Sequence, residues 1–136
     1  MIPLDRDAMR TFFFETWQKH KENRPVTPME AQLIEIVLLH PEYQAVLEDR
    51  EKYQTMDFAD ANPFLHLGLH IAIRDQISTN RPAGIGKIYQ QRCQRFGDNH
   101  AAEHKMLDCL TKLLWDAQQE GKIADENTFL ENLKKI

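Results

Sequence analysis

Apolar residues recur at helical spacing along nearly the whole chain, and no run alternates as a half-buried strand would. Met9, Phe13 and Trp17 sit at i, i+4 and i+8, with Phe12 beside them, and mark a first helix from about Asp5 to Glu22. The clearest start follows. Thr27 is an N-cap, Pro28 occupies the first helical position, and Glu30 stands where a capping-box carboxylate reaches back. Pro41 interrupts that helix, and residues 41–47 make a short further one. Residues 48–61 read as a long polar loop. Asn62 and Pro63 restart the helix, and the stretch from Phe64 to Ile77 is apolar nearly all round, the mark of a buried centre. Ile88, Arg92 and Phe96 give a short amphipathic helix closed by Gly97. Asp98 caps the longest helix, Asn99 to Glu120, which Gly121 ends. A terminal helix fills Asp125 to Ile136. The expectation is an all-α, antiparallel helical bundle of four main helices plus short ones, built as a single domain over 1–136.

Composition narrows the function. With 136 residues, 42% hydrophobic and 28% charged, the chain has the balance of an ordinary folded domain. Seventeen Lys and Arg against 21 Asp and Glu leave a formal charge of -4, so no basic field marks a nucleic-acid binder. Apolar runs fall short of the roughly 20 residues a membrane span requires. The N-terminus lacks a signal-peptide core, which points to the cytoplasm. Cys93 and Cys109 form no Cys-x-x-Cys pair and read as small core residues. Partners are therefore expected to exclude membrane and nucleic acid, while a homo-oligomer is compatible with the sequence. The basic stretch Arg81, Lys87, Arg92 and Arg95 reads as a solvated helix face.

Two segments carry chemistry: NPFLHLGLH, with His66 and His70, and HAAEH, with His100, Glu103 and His104. Residues four apart stack on one helix face, so two imidazoles at that spacing can reach one ion at about 2.0 to 2.1 Å. Advancing about 100° per residue, His100, Glu103 and His104 fall within about 60° of Leu107, on the face shared with Leu110 and Leu114. Lys105, Lys112 and Asp116 fall on the opposite side. Buried polar groups need partners, so these five side chains demand either a metal or one another. The leading expectation is a divalent metal held by His66, His70, His100, Glu103 and His104, with Glu103 as ligand, general base or supporting partner. The alternative is a non-enzymatic interaction or structural module with a buried His-Glu network. Nitrogen and carboxylate donors without thiolate suit Zn, Fe, Ni or Mn. Spacing alone leaves open whether the site is catalytic. Asp57 and Asp60 are within the loop's reach of it. His20 and His40, near helix C-termini, read as structural groups that complement the helix dipole.

Two enzyme patterns fail. His100-x-x-Glu103-His104 fits the H-x-x-E-H string of some zinc proteases, but this short chain leaves little room for their substrate cleft. A di-iron bundle needs Glu-x-x-His twice, whereas the residues three before each His are Trp17, Val37, Pro63, Leu67, Gly97 and Ala101.

Through NPFLHLGLH, RPAGI, GDNHAAEH and LWDAQQEG the chain resembles the bacterial family known as domain of unknown function 1841, over nearly its whole length. Asn62, Pro63, His66, His70, His100, Glu103 and His104 are the matching positions. The resemblance implies a small bacterial cytoplasmic protein, and it supplies no role for these residues. Paired histidines on bundle helices are also similar to hemerythrin-type and DinB-type metal bundles, a likeness of fold only.

Overall fold

Local signals start and stop most of these helices where the sequence places them. A computed structural model describes residues 5–58 and 61–136. Among these the fold is all-α: eight helices and no strand. They are α1 (Arg6–Lys21), α2 (Pro28–Leu38), α3 (Pro41–Leu47), α4 (Arg50–Tyr53), α5 (Pro63–Thr79), α6 (Ile85–Phe96), α7 (Asn99–Glu120) and α8 (Glu126–Lys134). The capping box on α2 is complete. Glu30 N–H donates to Thr27 Oγ1 at 3.2 Å, and Thr27 N–H donates to Glu30 Oε1 at 2.8 Å. Asn62 Oδ1 accepts from the backbone of Phe64 and Leu65 and so starts α5. Gly97 and Gly121 close α6 and α7 with φ of 72° and 67°, a conformation that costs glycine little.

The expected loop over 48–61 is only partly a loop. Asp49 accepts from Lys52 N–H and caps the single turn α4. Its four residues are too few to show a period, so spacing could not reveal it. Asp60 lies outside the described residues.

The chain divides into two compact units, residues 1–71 and 72–136, with the division inside α5. In the first unit Phe13, Phe14 and Trp17 of α1 pack with Leu33, Ile36 and Val37 of α2 and with Phe64, Leu67 and Ile71 of α5. Lys19 Nζ reaches Glu30 Oε2 at 2.7 Å and ties α1 to α2. The backbone after α4 is strapped to α1 by two arginines. Arg6 donates to Thr55 O and to Asp57 Oδ1, and Arg10 donates to the carbonyls of Tyr53, Gln54 and Met56. Arg10 is buried, and its guanidinium also lies 4.6 Å from the Phe64 ring centroid.

In the second unit α6, α7 and α8 pack on one another and bury Ile85, Ile88, Met106, Leu107, Leu110, Phe129 and Leu133. Leu114, expected on the buried face of α7, is 44% exposed. Helical phase puts it in line with Leu107 and Leu110, but phase along one helix does not fix which positions a neighbour covers. Arg92 and Arg95 both turn to the Ile136 carbonyl, so part of the basic stretch holds the end of the chain. No helix among the described residues is long and apolar enough to cross a membrane.

Candidate metal centre

Three histidine rings meet in the first unit. His66 and His70 lie one turn apart on α5 and face the same way, as i and i+4 must. Their Nε2 atoms are 3.1 Å apart. The third ring is His40, which lies between α2 and α3. Its Nε2 is 3.1 Å from His66 Nε2, and its ring centroid is 4.7 Å from that of His70. His40 and His70 are buried, and His66 is half-buried.

The chain fixes His40 by local means. Leu38 ends α2, and Pro41 begins α3 two residues after Leu39, which holds His40 at the N-cap with φ -127° and ψ 72°. Its Nδ1 lies 2.8 Å from the Ile36 carbonyl. A carbonyl only accepts, so Nδ1 carries the proton, and in the neutral ring Nε2 presents a lone pair toward His66 and His70. Metal-binding imidazoles are oriented by this kind of backbone bond on the other nitrogen. Tyr43 stacks on His40 with an 8° interplanar angle and meets His66 edge-on. Burial, assisted by Glu42, raises the Tyr43 phenol, so it stays protonated at neutral pH.

The geometry suits one small cation. Tetrahedral nitrogens at about 2.05 Å from an ion are separated by about 3.3 Å, close to the spacing found here. Hydrogen bonding serves the same contacts less well. His66 Nε2 faces two other Nε2 atoms and brings at most one proton to share between them.

The residues predicted for the site divide between the units. His66 and His70 come together, joined by His40, which the sequence places near a helix C-terminus as a structural group that complements the dipole. That expectation was half right, because the His40 ring does bond a last-turn carbonyl of α2 through Nδ1. What the sequence hid was the approach of α5 to its other nitrogen. The signal available was His40-Pro41, a histidine pinned at a helix junction.

His100, Glu103 and His104 lie in the second unit on the first turns of α7. The rings of His100 and His104 are 4.2 Å apart between centroids. Glu103 is buried, and both of its oxygens accept from Arg74 Nε, at 3.0 and 3.2 Å. Arg74 was absent from the predicted set, although it stands four residues after His70. Near this pair, burial and a hydrogen bond to Cys93 push the Tyr89 phenol up to about 12, with the Glu103 charge adding to the effect. Asp57 does not join the histidines; it pairs with Arg6 at an exposed position.

Residues 5–135 match the profile of the family described as Domain of unknown function (DUF1841). The chain belongs to the DUF1841 family. No curated protein and no solved structure matches it. In this DUF1841 chain the NPFLHLGLH segment therefore supplies two arms of a three-histidine cluster, and the junction before α3 supplies the third.

Proposed function

We propose that this protein binds one divalent transition-metal ion through Nε2 of His40, His66 and His70. The observation that carries the reading is the pair of 3.1 Å Nε2–Nε2 contacts, made by rings of which one already has its Nδ1 proton committed to a backbone carbonyl. An all-imidazole set suits Zn, Ni, Fe or Cu better than the oxygen-seeking Mg or Ca. Three imidazoles leave a fourth coordination position for water or another donor. Glu103, engaged by Arg74, is in this reading neither ligand nor general base. Two free cysteines suit a reducing cytoplasm.

A second reading draws on the same distances. The imidazoles form a hydrogen-bonded network in which His66 Nε2–H is shared between His40 and His70, and its role is to fix helix register. Elemental analysis of untagged protein grown with supplemented metals separates the two. Metal binding predicts about one equivalent, a lower melting temperature on chelation, and recovery on adding the ion back. It also predicts loss of loading in His40→Ala and His70→Ala, with His20→Ala unaffected. Metal-free protein that no divalent ion stabilises would establish the network instead.

A further inference from the structure

Trp115 is 61% exposed on α7, and Leu114 beside it is 44% exposed. Tryptophan is rarely left in water, and exposed tryptophan flanked by polar groups is typical of association surfaces. We infer that this face of α7 pairs antiparallel with the same face of a second copy of the chain, centred on Trp115.

Charge along the helix selects the occupant and the direction. At about 100° per residue, Asp108 falls within about 20° of Trp115, and Thr111 and Gln119 fall within about 40°. These residues form one stripe. Asp108 lies seven residues before Trp115, about 10 Å along the axis. Lys122 lies seven residues after it, just past the Gly121 cap, where its N–H returns to Ala117 O at 2.8 Å. The Asp108 and Lys122 side chains are exposed, and Lys122 has only a loose 3.8 Å contact with Glu120.

Parallel pairing would set Asp108 on Asp108, Lys112 on Lys112 and Lys122 on Lys122. Antiparallel pairing sets Asp108 of each copy on Lys122 of the other and puts Lys112 opposite Gln118. It therefore makes two opposite-charge contacts and opposes no like charges. A self-complementary patch of this kind is what a twofold dimer requires. Burying Trp115 on its own symmetry mate gives the contact an aromatic centre, and Thr111, Gln118 and Gln119 supply a polar rim.

Sedimentation equilibrium across a concentration series tests the pairing on the full chain. The wild type should pass from monomer to dimer, and added salt should weaken the dimer. Trp115→Ala should raise the dissociation constant by about thirtyfold for each of two copies, about a thousandfold in all, with the helical circular dichroism unchanged. Asp108→Lys should weaken the dimer, and Asp108→Lys combined with Lys122→Asp should restore it. A wild type that stays monomeric at the highest soluble concentration overturns the inference, as does a dimer that survives Trp115→Ala. Failure of the double charge reversal to restore pairing overturns the antiparallel register. None of these readouts depends on metal content.

Discussion

His40 and His66, 26 residues apart, bring their Nε2 atoms to 3.1 Å, while His40 Nδ1 is held by the Ile36 carbonyl. The two contacts act together: the backbone bond chooses the tautomer, and the tautomer aims a lone pair at the neighbouring ring. His40→Gln should therefore lose metal loading as fully as His40→Ala, since an amide keeps polarity but not the imidazole Nε2. Titration with Co(II), followed by its visible absorption, measures this directly. Tetrahedral bands in the wild type and their absence in both variants are expected.

Glu103 separates ligation from support. Glu103→Gln should keep metal content near the wild-type value, because in the proposed arrangement the protein donors to the ion are the three imidazoles. Glu103→Ala should lower unfolding free energy by about 3 kcal/mol, because it leaves the Arg74 guanidinium, 18% exposed, without its carboxylate. Pairing Arg74→Met with Glu103→Leu should recover most of that loss, as measured by urea unfolding of the singles and the double. Loss of metal in Glu103→Gln would show that the carboxylate is a ligand after all.

The Arg10 strap makes a local prediction. Arg10→Met keeps the apolar stem but removes the donors that meet Tyr53 O, Gln54 O and Met56 O. A loss of about 2 to 3 kcal/mol in global stability is expected. Amide exchange over residues 53–58 should accelerate more than exchange in α7, which has no part in the strap.

Acid sensitivity should trace partly to Glu30. The Lys19 ammonium, and then the Thr27 backbone N–H, hold its carboxyl below the usual glutamate range. A depressed folded-state pKa contributes stability above the unfolded value of about 4.3, and that stability is lost as pH falls through the folded value. Glu30→Gln should flatten the acid limb of a stability–pH profile and leave its neutral-to-alkaline shape alone. A limb of unchanged slope would assign acid unfolding to other carboxylates.

Much of the fold was legible because helix boundaries are local events. Thr27-Pro28-x-Glu30, Asn62-Pro63, Asp98 and the glycines at 97 and 121 each satisfy or free a backbone group within a turn of themselves. His66 with His70 was legible for the same reason, since i and i+4 share a face in any helix. Four-residue α4 offered no period to read. Leu114 lies in phase with buried leucines, yet helical phase cannot tell which positions on that face a neighbour covers.

The chain by itself thus determined the all-α class, most helix ends and two rings of the histidine cluster, since all of these depend on residues within about one turn of one another. Tertiary structure alone decided that His40 would meet them and that Arg74 would hold Glu103. Those contacts span 26 and 29 positions, and no periodicity along one helix encodes which other helix packs beside it.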